Sequence, residues 1–167
     1  MKQLEGRAAL AARASSRPRV RVAAVVVIDG KILLVRQRRT GEPYYLLPGG
    51  GVDAGETLAE ALTREVREET GLDVALARPL FISDTIEPGG TRHVVNITFL
   101  TEVTGGELET DPSDPSIEGI DLMAASALSS IDLRPPIADA LFDASQKAYD
   151  VPTAYLGPLW TPEDGPE

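Results

Sequence analysis

The chain has 167 residues, 43% of them apolar and 25% charged, with no cysteine and a formal net charge of −10. That length suits one domain with a real core, and the lack of cysteine excludes disulfides and thiolate metal centres. The acidic balance argues against a nucleic-acid polymer as partner, because phosphate backbones need a basic footprint. No stretch approaches the roughly 18 apolar residues of a membrane-spanning helix.

Charge is unevenly spread. Lys2, Arg7, Arg13, Arg17, Arg19 and Arg21 make the amino-terminal stretch basic, Arg36, Arg38 and Arg39 form a second cluster, and the chain beyond Gly105 is mostly acidic. A small, highly charged anion bound locally by arginines is therefore compatible with the overall balance. Met1 to Val20 carries scattered arginines and no uninterrupted apolar core, unlike a signal peptide, so the sequence points to a cytoplasmic protein.

Residues 1–19 read as an amino-terminal arm or dimer contact, with weak helical character up to Pro18. Val20 to Ile28 is a β-branched run closed by Asp29-Gly30, and Lys31 to Gln37 follows at once, which predicts a hairpin. After a polar loop, Tyr44 to Leu47 is a short apolar run that stops at Pro48 and Gly49-Gly50-Gly51. A helix is predicted from Thr57 to Thr70, stopped by Gly71. Val74 to Ser83 and Arg92 to Val103 are strands about the turn Glu87-Pro88-Gly89-Gly90. Ile117 to Met123 is a last strand, and Arg134 to Tyr149 a closing helix with Pro135 and Pro136 in its first turn. Residues 20–150 thus form one α/β domain, followed by an extended, Pro-rich acidic tail at 151–167.

The helix breaks its own pattern. Projected at 100° per residue, Leu58, Leu62 and Val66 share one arc with Ala61 beside them, and that arc should face the core. Glu65 and Glu69 fall inside the same arc and Glu68 borders it, whereas Glu60, Thr63, Arg67 and Thr70 lie outward. Carboxylates at i, i+3 and i+4 repel one another, and turning them inward adds a desolvation cost. A divalent cation among them removes both costs, since oxygen-rich clusters suit Mg²⁺ or Mn²⁺. On the helix alone, a solvated acidic end is an equal alternative, because a small rotation exposes Glu68.

The flanking residues decide between these readings. From Gly50, five residues lead to Glu56, seven more to Arg64-Glu65, and Val66, Arg67, Glu68, Glu69, Thr70, Gly71 and Leu72 follow. This 23-residue stretch resembles a complete Nudix box, with every specified position filled. Seven single-residue requirements at roughly 7% each have a chance of about 10⁻⁸ per starting point. The resemblance implies a Nudix-type α/β/α sandwich with a mixed β-sheet. It also implies a hydrolase that cuts a diphosphate linkage in a small nucleotide-like substrate with Mg²⁺, or Mn²⁺ in its place.

By the same resemblance, Glu68 and Glu69 ligate metal, Glu65 is a further ligand or the base, and Arg64 orients the glutamates. Glu56 fixes the loop–helix junction, and a backbone carbonyl of Gly49-Gly50, taken as Gly50, completes the shell. In the reaction so implied, water attacks phosphorus while a carboxylate takes its proton. The glycine run is not a Walker A loop, because no Gly-Lys-Ser/Thr follows it.

Outside the box the signals are weaker. Glu118 is the chosen further catalytic acid, with Glu87, Glu102 and Glu107 as rivals; Arg36, Arg38 and Arg92 are expected to clamp phosphate. The lone histidine, His93, reads as incidental, Tyr44, Tyr45 and Phe81 as packing residues, and Trp160 as docking onto the domain or a second subunit. Pro88, 16 positions after Leu72, resembles the proline that marks the family's ADP-ribose pyrophosphatases. An ADP-ribose-like nucleoside diphosphate derivative is therefore preferred over a nucleoside triphosphate or a dinucleoside polyphosphate. Two rival classes sit on the same fold: a non-catalytic nucleotide-binding regulator, which the intact box disfavours, and an isomerase, which relies on a cysteine absent here. A homodimer is common in the family and expected.

Overall fold

The computed structural model describes residues 17–38, 41–90, 92–109 and 114–160. Most of the expected arm and Arg39 lie outside these residues. The first strand, β1 (Arg19–Val25), is buried on both faces at Val22 to Val25, as its continuous β-branched and small apolar run requires. The β run does not continue to Ile28 as one strand. It breaks at Val26, and β2 (Val27–Ile28) joins a second sheet through β3 (Lys31–Gln37). Asp29 and Gly30 between them both take positive φ, 49° and 74°, the type I′ geometry that fits the twist of a two-residue hairpin.

Two sheets result. The larger is mixed, in the order β5 (Gly49–Gly51), β1, β7 (His93–Gly106), β6 (Leu72–Ile86), β9 (Ala154–Pro158), with β1 parallel to β7 and β6 parallel to β9. In the smaller, antiparallel sheet β3 pairs with β2, β4 (Tyr44–Leu46) and β8 (Ile117–Met123). Helix α1 (Leu58–Thr70) packs Ala61, Leu62 and Val66 against Val22, Ala24, Val26, Leu33 and Phe99. Burial of Leu62 and Val66 stabilises the fold by about 1.5–3 kcal/mol each. On the other side of β1, Ala23 and Val25 join Ile32, Leu34, Leu80, Leu128 and Leu141 in a second core. The expected α/β architecture with a mixed sheet is thus present, with the small sheet and α2 (Ala138–Ser145) behind it.

Several expectations need correction. Leu58 is 37% exposed and Thr70 fully buried, because Leu58 stands at the open start of α1 while the segment after β7 covers its end. Glu109 N donates to Thr70 O at 2.9 Å, and Thr70 Oγ1 donates to Val66 O at 2.6 Å. The closing helix is shorter than Arg134 to Tyr149: α2 starts at Ala138, with Pro135 and Pro136 before it. The reason is competition from a strand, since Tyr45 N donates to Asp132 O and Arg134 N to Tyr45 O, both at 2.8 Å. Nor do residues 151–160 form a plain tail. Residues 154–158 extend the large sheet beside β6, Val151 O accepts from Arg78, and Leu156 and Leu159 pack on the second core.

Candidate active site

Local rules place the carboxylates. Thr57 caps α1: its Oγ1 accepts from Glu60 N at 3.2 Å, while Glu60 accepts from Thr57 N at 2.8 Å, a complete capping box. Gly71 ends the helix in a left-handed conformation (φ 75°), its N–H donating to Arg67 O. Between these stops the acidic half of α1 faces the β5 glycines. Gly49 N donates to Glu69 Oε2 at 2.8 Å, and a Cβ on Gly50 would collide with the Glu65 carboxylate. Gly49 has φ 144°, and a Cβ there would strike Val22 O. Only glycine lets β5 lie this close to both β1 and the glutamates.

Arg64 binds the group together. It donates through Nε and Nη2 to Glu56 at 2.8 and 3.0 Å, through Nη1 to Glu65 Oε1 at 2.7 Å, and through Nη2 to Gly51 O at 3.2 Å. The Glu68 carboxylate lies 3.7 Å from its Nη1 and keeps its side chain 62% exposed. Hydrogen bonds from Arg64 and the Asp53 N–H pull the Glu56 carboxyl down to about 2, whereas Glu56 and Glu65 raise the guanidinium's pKa. Glu69 behaves oppositely. Burial pushes its carboxyl up to about 7, with Glu65 and Asp114 adding to the rise and the Gly49 N–H and Arg21 opposing it.

Arg21, on β1, lies beneath this group. Its Nη2 donates to Gly49 O at 3.0 Å and to Leu47 O at 3.4 Å, and burial lowers its pKa against the pull of Glu69 and Glu65. Arg21 also lines a cleft of about 180 Å³ between the two sheets, with Gln37, Tyr44, Thr85, Arg92, Asn96 and Arg134.

The expected site residues therefore divide. Glu65, Glu68, Glu69, Arg64, Glu56 and Gly50 come together around α1 and β5. Gly50, however, is the register partner of Val22, while the peptide groups of Gly49 and Gly51 meet Glu69, Arg21 and Arg64. Of the expected phosphate clamps, Arg92 lines the cleft, but Arg36 and Arg38 pair instead with acids of β8, Asp121 at 2.9 Å and Glu118 at 2.7 Å. Pro88 is exposed in the turn before Arg92, where Glu87 N donates to Arg92 O.

Sequence reasoning missed three residues. In the sequence Arg21 reads only as part of a basic stretch, Arg134 only as a helix start, and Asp114, whose charge acts on Glu69, only as part of the acidic chain beyond Gly105. The alternation that sets Arg21 apart from Val22 and Ala24 was a usable signal for the first. His93, taken as incidental, bonds Asp84 at 2.7 Å, and Tyr155 OH donates to the same carboxylate.

The NUDIX domain family model matches residues 17–144. A protein of Methanocaldococcus jannaschii named ADP-ribose pyrophosphatase is 37% identical over 63% of this chain, and the match spans 63% of that relative's length. Phosphatase NudJ of Escherichia coli K12 is 31% identical over 84% of this chain and 92% of its own. The crystal structure of a MutT NUDIX hydrolase from Burkholderia pseudomallei superposes with a TM-score of 0.60 at 31% identity, covering 78% of this chain and 97% of that one. The chain belongs to the Nudix hydrolase family. No helix among the described residues is long and apolar enough to cross a membrane.

Proposed function

We propose that the protein hydrolyses a diphosphate linkage in a nucleoside diphosphate derivative of the ADP-ribose type, with Mg²⁺ or Mn²⁺ held by Glu65, Glu68 and Glu69. One observation carries the reading: the Glu69 carboxyl, on the same end of α1 as Glu65 and Glu68, is buried against the Gly49 N–H with its pKa driven up by that burial. Such a site is costly unless a cation occupies it. The donors fit a hard cation, being all oxygen. Among the described residues no three Asp, Glu, His or Cys side chains converge closely enough to hold an ion by themselves; Mg²⁺ characteristically keeps waters and takes further ligands from substrate phosphate. When bound, the ion neutralises charge on the phosphate and lowers the pKa of the attacking water.

The chain's own groups divide the remaining work. Arg64 fixes Glu65 and Glu56, and the Gly49 N–H fixes Glu69. Glu68, the most exposed of the three, takes the proton from water and returns it to solvent. Asp114 replaces Glu118 as the acid from outside the helix, because Glu118 is tied to Arg38. The ADP-ribose preference draws support from the archaeal relative's name and from Pro88, whose turn presents Arg92 to the cleft.

The test incubates purified protein with ADP-ribose, a nucleoside triphosphate and a diadenosine polyphosphate, with Mg²⁺ or Mn²⁺, and resolves products by chromatography. Metal-dependent release of AMP from ADP-ribose is expected, with kcat lowered about 10²–10⁴-fold in Glu68→Gln and strongly in Glu69→Gln. Cleavage of only the other two substrates would reassign the substrate. No cleavage of any, with nucleotide still bound, would leave a binding module.

A further inference from the structure

Arg21 is a charged side chain that the proposed reaction does not use. It stands between Val20 and Val22 on β1, half-buried, and its Nη2 donates to Gly49 O at 3.0 Å and to Leu47 O at 3.4 Å. Burying a guanidinium is costly, and a neutral amide or water could serve two carbonyls as well. Charge offers no reason for it either. Arg21 lies close enough to Glu69 and Glu65 to interact with both, and a fixed cation beside carboxylates opposes the entry of a second one. Its place calls for a geometric explanation.

The register of β5 supplies one. Ala24 N donates to Pro48 O at 2.8 Å and Val52 N to Val20 O at 3.1 Å, with Val22 opposite Gly50 between them. Residues 48, 50 and 52 therefore turn their peptide groups toward β1, and Gly49 and Gly51 turn theirs outward, as alternation along an antiparallel pair requires. Strand β5 is the edge of the large sheet, so no further strand takes the outward groups. Side chains take them instead. Gly49 N donates to Glu69 at 2.8 Å, Gly49 O accepts from Arg21, and Gly51 O accepts from Arg64 at 3.2 Å.

Gly49 does not hold this orientation by itself. At φ 144° it has the wide conformational freedom of glycine. The chain also passes there from β4 in the small sheet to β5 in the large one through Leu47 and Pro48 alone, and Pro48 has no N–H to anchor it. Arg21 bonds the carbonyls on both sides of Pro48, and so ties the crossover to β1.

We propose that Arg21 is a positioning residue: by holding Leu47 O and Gly49 O it fixes the Gly49 peptide, whose N–H in turn sets Glu69 in place for the metal. The inference rests on the hydrolase reading for the presence of the metal. Arg21 acts through Gly49 and Glu69, and the role needs no contact with substrate.

Calorimetric titration of Mn²⁺ into nucleotide-free wild-type and Arg21→Met protein tests this, because the possible roles of the arginine differ in their effect. Loss of a positioning residue is expected to weaken Mn²⁺ binding by about 10–100-fold, the usual effect of removing a hydrogen-bond partner behind a metal ligand. Loss of a mere cation would tighten binding, and loss of a packing residue would lower Tm with Mn²⁺ affinity unchanged; either result overturns the proposal. Kinetics at saturating Mn²⁺, on the substrate cleaved in the panel above, give a second reading, with kcat lowered and KM kept. A raised KM with kcat and Mn²⁺ affinity unchanged would refute positioning and make Arg21 a substrate contact. Should Arg21→Met fail to fold by circular dichroism, Arg21→Gln, polar but too short to reach Gly49 O, is read in the same way. Wild-type protein that binds no Mn²⁺ would sink the hydrolase reading and this inference together. Binding and cleavage by the wild type, with the variant unaffected, would sink this inference alone.

Discussion

At the scale of single residues the site is an exercise in close approach. Gly50 has no room for a methyl group, since its Cβ would lie on the Glu65 carboxylate. Gly50→Ala is expected to push the flexible Glu65 side chain aside and displace it from Arg64, with little cost in stability. A large loss of kcat with Tm nearly unchanged would bear this out; unchanged kcat would refute the close approach. Glu69 gives a pH dependence. Its carboxyl sits at about 7 in the fold against an ordinary value of 4.5. Below pH 4.5 it is protonated in both folded and unfolded chains, so its burial then carries no ionic penalty. As pH rises the unfolded chain ionises first, and stability falls until the folded carboxyl has ionised above pH 7. Metal-free protein should lose on the order of 3 kcal/mol over that window from this group, and Mg²⁺ should abolish the loss. Urea unfolding at pH 5 and pH 8, with and without Mg²⁺, reads both effects; equal slopes with and without the ion would contradict the cation's place beside Glu69.

Among the elements, α1 matters most because its register aims the carboxylates. The capping box at Thr57 and Glu60 and the Gly71 stop fix both of its ends, so the acidic half cannot slide relative to β5. Thr57→Ala should destabilise the protein by about 1 kcal/mol, measured by denaturant unfolding, with kcat little changed because the packed Leu62 and Val66 still hold the helix. A large loss of kcat without loss of stability would show that the cap itself positions the site. The sequence was most legible here: the start, stop and apolar stripe of this helix are local, and so is the box. Strand β8 was equally plain, at Ile117–Met123 as expected. The closing helix was not, because the pull of Tyr45 on residues 132–134 is invisible along the chain.

Across the whole molecule, β1 belongs to both cores, and the sheet it anchors runs on to β9 at the far edge. Removing residues 151–167 should uncover the edge of the 15-residue β6 and expose the apolar surface beneath Leu156 and Leu159. Lowering of Tm by about 5 °C or more and aggregation through the opened strand are the expected results. A truncated protein as stable and soluble as the full chain would mean that β9 is ornamental.

By itself the sequence determined the box, the helix that carries it and the α/β class, because periodicity, caps and glycine stops act over a few residues. It also identified the acidic cluster as a broken pattern, since a carboxylate on a core face has no local justification. Only the tertiary structure decided what meets that cluster. The projection alone could not tell that Glu69 is buried against the Gly49 N–H while Glu68 stays exposed, because helix rotation is set by packing on β1. Spacing could not tell that Arg36 and Arg38 are paired with β8 acids while Arg21, Arg92 and Arg134 share a cleft. Charges on separate strands meet or miss one another according to register and sheet order, and both depend on contacts between residues far apart in the chain.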